Sequence, residues 1–304
     1  MSFNRKHILS TKDLTVSEVE EILQTAFSFK EVLGRDLKKV PSLRGKTVIN
    51  LFLEDSTRTR TSFEIAGKRL SADVINVSKS GSSVAKGETL LDTALTLEAM
   101  RPDILVVRAK QSGFSEKLSK ELKCSVINAG DGLHEHPTQA LLDLMTLIEH
   151  RPSVQNLKVA IVGDVLHSRV ARSNLYLLKT MGAKLRVVGP ATLIPSGIEL
   201  YGAEVYHSLE EGLQDVDVIM MLRIQKERMG EAYFPSLREY SRFFGLDRKK
   251  LSYCKEDVLV LHPGPVNRGI EISPEVADGD RSVILQQVEN GVAMRMALLY
   301  LLGK

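Results

Sequence analysis

The sequence predicts an α/β fold of two domains, each a parallel sheet flanked by helices, joined by interdomain helices. Three observations predict it. Strand-like apolar runs alternate with helix-length segments almost throughout, the series appears twice, and 304 residues are too many for one ordinary core. The two domains are expected at 1–150 and 151–281, with a last helix at about 282–304 packing back on the first.

The elements follow in order. A helix is expected over 16–33, capped by Thr15 or Ser17, with Val16, Val19, Ile22, Leu23 and Ala26 on one face. Strands are expected at 47–53, 73–77, 104–108 and 125–128, with helices at 58–70, 88–100 and 115–122 between them. A helix over 137–150 has Pro137 in its first turn, where the missing N–H costs nothing, and Arg151-Pro152-Ser153 ends it. Strands at 158–162, 184–188, 204–207, 216–221 and 258–261 follow, with helices at 169–181 and 209–214. The final helix, about 282–302, is strongly apolar (Met294, Met296, Leu298, Leu299) and is expected to be buried.

A hydrophobic share of 43% and a charged share of 26% are those of a soluble globular protein. A net charge of +3 with no dominant basic run gives no case for nucleic acid, whereas locally gathered Arg and Lys suit an anionic small molecule. Cys124 and Cys254 are far apart, without metal spacing, and are expected to be reduced thiols in a cytoplasmic protein. The polar, basic stretch from Met1 to Ser10 has no signal-peptide character, and no segment is long and apolar enough to cross a bilayer.

In open α/β sheets, ligands sit beyond the carboxyl ends of strands, so the loops there are the ones to search. Asp55-Ser56-Thr57-Arg58-Thr59-Arg60 lies between an apolar strand and a helix. Helix N-termini carry unpaired N–H groups and partial positive charge, and hydroxyls with guanidinium forks there suit a phosphate dianion. An ordinary cap followed by solvated arginines is the plainer alternative. The loop from Ser78 to Glu88 is rich in Gly and Ser, carries Lys79 and Lys86, and taken alone reads as an ordinary flexible connector. In Asp131-Gly132-Leu133-His134-Glu135-His136-Pro137-Thr138-Gln139, His136 and Gln139 bracket a helix start and are placed to donate hydrogen bonds to a carbonyl oxygen. A metal pair of His134 and His136 lacks further ligands at recognisable spacing. Arg169 and Arg223 each follow a strand of the second half, and two such forks suit a small dicarboxylate. Gly163-Asp164 alone is no dinucleotide fingerprint. His262-Pro263-Gly264-Pro265 ends the last strand as a stiff loop whose carbonyls are able to orient an amine.

Taken together, Ser56-Thr57-Arg58-Thr59-Arg60, Lys86-Gly87-Glu88-Thr89, His136-Pro137-Thr138-Gln139, Arg169, Leu222-Arg223-Ile224-Gln225 and His262-Pro263-Gly264-Pro265 closely resemble the aspartate/ornithine transcarbamoylase family, and within it the aspartate branch. The resemblance runs over nearly the whole chain. It implies transfer of the carbamoyl group of carbamoyl phosphate to the amine of L-aspartate, giving N-carbamoyl-L-aspartate and phosphate, an early step of de novo pyrimidine biosynthesis.

On this resemblance, Ser56, Thr57, Arg58 and Thr59 hold the phosphate, and Arg108, His136 and Gln139 contact the phosphate and carbonyl regions. Pro265 belongs to the same carbamoyl phosphate set and follows a cis bond in relatives. The catalytic set is Arg58, Thr59, Arg108 and His136. Lys86, Arg169, Arg223 and Gln225 recognise aspartate, with Ser82 and Lys86 supplied by a neighbouring subunit of a homotrimer. Gly264 stands where some members have Leu, which leaves only a backbone role there. The ornithine branch typically has His-Cys-Leu-Pro and Ser-Met-Gly motifs, which this chain lacks. Arg223 and Lys86 also suit a second carboxylate better than a cationic side chain. No metal or organic cofactor is implied. Regulatory chains or dihydroorotase are partners of some relatives.

Overall fold

The computed structural model describes residues 3–78, 88–225 and 236–304. The chain divides into two compact units, Met1–Met145 with Glu289–Lys304, and Thr146–Val288.

The first unit opens with α1 (Val16–Leu33), started by a capping box: the Thr15 hydroxyl accepts from the Glu18 N–H, and Glu18 accepts from the Thr15 N–H. Val19, Ile22, Leu23 and Ala26 are buried as expected, but Val16, the first residue of the helix, is 43% exposed. Then come β1 (Thr47–Phe52), α2 (Thr57–Arg69), β2 (Asp73–Ser78), α3 (Leu90–Ala99), β3 (Ile104–Ala109), α4 (Phe114–Glu121), β4 (Ser125–Asp131) and α5 (Pro137–His150). The four strands are parallel in the order β2-β1-β3-β4. Helices cover both faces of such a sheet, which is why β1 and β3 read as continuous apolar runs. β2 is an edge strand, and Ile75 on it is exposed.

The second unit contains β5 (Lys158–Val162), α6 (Arg169–Thr180), β6 (Lys184–Val188), β7 (Ala203–Tyr206), α7 (Leu209–Gly212), β8 (Val218–Met221), α8 (Leu237–Phe244), β9 (Leu259–Leu261) and α9 (Pro274–Ala277). Its five strands are parallel in the order β7-β6-β5-β8-β9, around an aliphatic core that includes Val162, Ile219, Val260 and Val276. The helix α10 (Ile284–Gly303) begins in this unit and ends in the first, where Tyr300 stacks edge-on against Phe29 of α1 at 5.5 Å.

Among the described residues, two α-helices are absent from the sequence expectations. α8 carries Leu237, Tyr240 and Phe244 at helical spacing and is capped by Ser236, but its apolar positions are diluted by Arg and Glu. α9 is a single turn behind Pro274. Conversely, α7 stops at Gly212 rather than running to residue 214, and β4 extends to Asp131, past the expected residue 128.

Candidate active site

In the first unit the residues expected to bind an anion lie where β1 meets α2. Ser56 is the N-cap residue, yet among the described residues its hydroxyl makes no capping bond, and the first turn holds no acidic side chain. The Arg60 N–H makes an intrahelical bond to the Ser56 carbonyl at 3.2 Å, so the N–H groups before it lie at the open, positive end of the helix. Ordinary side-chain capping is therefore not what this junction does. Arg58 and Thr57 are exposed there and Thr59 is buried.

β3 runs beside β1, with Arg108 opposite Phe52. The Arg108 guanidinium donates to the Ala129 carbonyl at 3.1 Å and lies 3.5 Å from both the Thr59 hydroxyl and the His136 Nε2. One cation thus joins the ends of β1, β3 and β4. Those 3.5 Å approaches are long for hydrogen bonds and close for groups that share an oxyanion. Glu54 holds Arg108 from the other side, its carboxylate 2.7 Å from Nε. Nothing in the sequence singled out Glu54, although it directly precedes the Asp55-Ser56 turn.

The β4–α5 loop is braced by two buried carboxylates. Burial alone would push the Asp131 carboxyl up. Hydrogen bonds from His134, Asn128 and the Gly113 N–H outweigh it and hold Asp131 below the usual range. Glu135 accepts from the Thr11 N–H and hydroxyl and from Ser10, pinning the N-terminal strap beside the loop. His134 is thus turned to Asp131, whereas His136 is buried and turned to Arg108, so the two do not form a metal pair.

Gln139 departs from the expectation that its amide donates to a carbonyl oxygen. Its Nε2 donates to Asp143 Oδ1 at 2.8 Å, one turn further along α5. A carboxylate only accepts, so it fixes the amide nitrogen inward.

In the second unit the relevant loops leave three neighbouring strands, β5, β8 and β9. Gly163, at φ +119°, ends β5. A Cβ there would stand 2.8 Å from the Tyr240 hydroxyl, so no larger residue fits. Asp164 is fully buried and accepts from the His167 N–H at 3.1 Å, with His167 Nδ1 at 2.8 Å. Burial pushes its carboxyl up, opposed by His167 and by the N–H of Gln225. Asp164 therefore ties the loop before Arg169 to the loop that follows β8. Ser168 caps α6, placing Arg169 at the first helical position, buried, while Arg223 lies half-buried one residue past the Leu222 N–H, which bonds the Val162 carbonyl at 2.8 Å.

The Gly264–Pro265 peptide bond is cis. His262 and Glu271, both fully buried side chains, brace it: Nδ1 accepts from the Gly264 N–H at 2.8 Å and Nε2 lies 3.2 Å from Glu271. Asp164 and Glu271 were not visible as site residues in the sequence, because nothing local marks a carboxylate that acts on a distant loop. Ser82 and Lys86 lie outside the described residues. Among the described residues, no cluster of His, Cys, Asp and Glu is arranged to hold a metal ion.

Comparison with known proteins bears on these two units directly. Residues 6–149 match the carbamoyl-P binding domain of aspartate/ornithine carbamoyltransferase, and residues 155–302 match its Asp/Orn binding domain. The aspartate carbamoyltransferase catalytic subunit of Syntrophus aciditrophicus is 62% identical over 99% of this chain and 98% of its own. That of Rhizobium meliloti is 57% identical over 98% and 96%. Among solved structures, aspartate transcarbamoylase from Trypanosoma cruzi in complex with N-(phosphonacetyl)-L-aspartic acid is similar at a TM-score of 0.87 and 32% identity, covering 97% of this chain and 95% of that one. Ornithine carbamoyltransferase from Pyrococcus furiosus gives the same TM-score, 0.87, at 28% identity, covering 99% and 98%. With both domains matched in order and full-length relatives well above half identical, the chain belongs to the aspartate/ornithine carbamoyltransferase family.

Proposed function

We infer that this chain transfers the carbamoyl group of carbamoyl phosphate to the amine of L-aspartate, giving N-carbamoyl-L-aspartate and phosphate, an early step of pyrimidine biosynthesis. The observation that carries this is the 62% identity, end to end, with an aspartate carbamoyltransferase catalytic subunit. Backbone likeness does not separate the aspartate and ornithine branches, since both give a TM-score of 0.87. Identity and charge do: Arg169 and Arg223 suit a dicarboxylate and would repel a cationic side chain.

Carbamoyl phosphate is assigned to the domain of residues 1–150 and aspartate to that of 151–281. Ser56, Thr57, Arg58 and Thr59 take the phosphate at the start of α2, and Arg108, His136 and Gln139 take the carbamoyl group. Arg169, Arg223 and Gln225 take the carboxylates of aspartate. The aspartate nitrogen attacks the carbamoyl carbon, and a tetrahedral intermediate forms with negative charge on its oxygen. Thr59, Arg108 and His136 stabilise that oxyanion as preorganised donors, supported by their convergence around one guanidinium. The bond from carbon to the phosphate oxygen then breaks. Phosphate leaves with the amine proton, and Arg58 offsets the charge growing on it.

A homotrimer in the cytoplasm completes the reading, with Ser82 and Lys86 reaching a neighbouring subunit's site. Exposed apolar side chains on the first unit, Ile75, Leu95 and Met100, are the kind a subunit interface covers. Cys124 and Cys254 are unbridged, as in a reducing compartment, and burial pushes both thiols up to about 12. No helix among the described residues is long and apolar enough to cross a membrane.

The test is a colorimetric carbamoyl-amino-acid assay on purified protein, with aspartate and ornithine in parallel. Carbamoyl-aspartate formation with no turnover of ornithine is expected, and the reverse preference refutes the assignment. A mass measurement of the native assembly tests the trimer and reveals any regulatory chain or dihydroorotase bound to it.

A further inference from the structure

Arg295 is a buried cation that the reaction as described does not use. It sits on α10, only 4% exposed, inside the first unit. Its Nη1 donates to the Ser62 hydroxyl of α2 at 2.8 Å and to the Gly291 carbonyl of its own helix at 3.1 Å, and its guanidinium lies 5.2 Å from the centre of the Phe63 ring. A Cβ on Gly291 would stand 2.6 Å from that Nη1, so the glycine is what lets the guanidinium fold back. Burial lowers Arg295 to about 10, and the charge opposing this is the carboxylate of Asp143.

Asp143 is fully buried on α5 and is the group that receives the Gln139 amide nitrogen at 2.8 Å. An ionised carboxylate offers no donor, so while Asp143 keeps its charge the Gln139 amide has one orientation: nitrogen to Asp143, carbonyl oxygen away from it. A carbamoyl group carries an NH2 whose hydrogens need acceptors, and an inward-facing amide oxygen would deny them one.

We propose that Asp143, with Arg295 behind it on α10, is a positioning residue for carbamoyl transfer: its buried side chain, holding the Gln139 amide nitrogen, turns the carbonyl oxygen of Gln139 toward the carbamoyl amine. The inference rests on the reading that Gln139 meets the carbamoyl group. Through Ser62 and Phe63 the same guanidinium also holds α2, the helix whose first turn is assigned to the phosphate. Gln139 therefore selects the carbamoyl end of the ligand as an acceptor, whereas the phosphate end is read by other groups.

Asp143→Asn tests this, because an amide at 143 has both a donor and an acceptor and releases the constraint on Gln139. In the folded variant we expect the KM for carbamoyl phosphate to rise about tenfold or more, the loss of one oriented hydrogen bond. Inhibition by inorganic phosphate, which has no amine, should stay within about twofold of the parent on that same scale. Equal loss of carbamoyl phosphate and phosphate affinity would mean general damage to the unit and would overturn the proposal, as would unchanged values for both. Gln139→Ala separates the underlying reading from the inference. If it leaves carbamoyl phosphate affinity unchanged, Gln139 does not meet the carbamoyl group. If it weakens affinity while Asp143→Asn does not, only the positioning role fails. Should Asp143→Asn not fold, the native protein answers: the Gln139 side-chain NH2 protons are expected to exchange slowly with solvent before any ligand is added, and fast exchange refutes the proposal.

Discussion

The Glu54 carboxylate stands 2.7 Å from Nε of Arg108, and both side chains are about nine-tenths buried. This pair fixes the direction of the guanidinium that meets Thr59, Ala129 and His136. Glu54 lies on the β1–α2 loop and Arg108 on β3, so their contact also sets the spacing of two strand ends.

Replacing Glu54 is therefore expected to act on catalysis through Arg108. Glu54→Ala is expected to lower turnover by about 10²-fold, the scale of an ångström-level misplacement of a catalytic group. Glu54→Gln should recover part of the loss. Steady-state kinetics on variants with native circular dichroism check this, and near-parent turnover for Glu54→Ala would contradict it.

Arg58 sits exposed in the first turn of α2, so its removal leaves the core untouched. Arg58→Ala is expected to cost about two or more orders of magnitude in turnover, as loss of one preorganised donor typically does, with an unchanged melting temperature. A near-normal turnover number would remove Arg58 from the mechanism.

Sharing of sites between subunits is tested by mixing. Lys86→Ala chains and Arg58→Ala chains, each inactive alone, should regain activity when reassembled together, because some hybrid sites combine two intact contributors. Hybrids without any activity would argue that each site belongs to one chain.

The N-terminal strap has its own acid sensitivity. Arg5 bonds Glu18 through two nitrogens, at 2.5 and 2.9 Å, and this ion pair, with the Thr15 cap, lowers Glu18 from 4.5 to about 2. A carboxyl depressed by folding stabilises the fold above its unfolded value and loses that contribution as the pH falls through the folded one. The stability gap between the parent and Arg5→Ala, measured by urea unfolding, should be full at pH 7 and shrink between pH 4.5 and 2. A gap independent of pH would exclude the ion pair as its source.

Gly67 lies where α2 crosses β2, and a Cβ there would stand 2.5 Å from Val74 Cγ2. Gly67→Ala should cost about 1–3 kcal/mol through overpacking, despite alanine's better helix propensity. Chemical denaturation reads it, and stabilisation would show that α2 is free to shift.

Much of this was legible in the chain itself. Central parallel strands must be apolar on both faces, so β1, β3, β5 and β8 stood out as unbroken runs. The residues at helix starts and strand ends, Ser56 to Thr59, His136, Arg169 and Arg223, stood out because charge and hydroxyls follow apolar segments abruptly there. α8 was hidden, because its apolar face is only a few side chains among charged ones.

By itself, then, the sequence determined the alternation of strands and helices, the candidate loops at their ends and the family the chain belongs to, since these follow from local periodicity and short motifs. Only the tertiary structure decided which buried carboxylate governs which functional side chain: Glu54 for Arg108, Asp143 for Gln139, Asp164 for the Arg169 and Gln225 loops. Two of these act across separate strand ends, and Asp143 draws its own opposing charge from α10. Such couplings depend on distance in space and on the low dielectric of a buried site, neither of which spacing along a chain records.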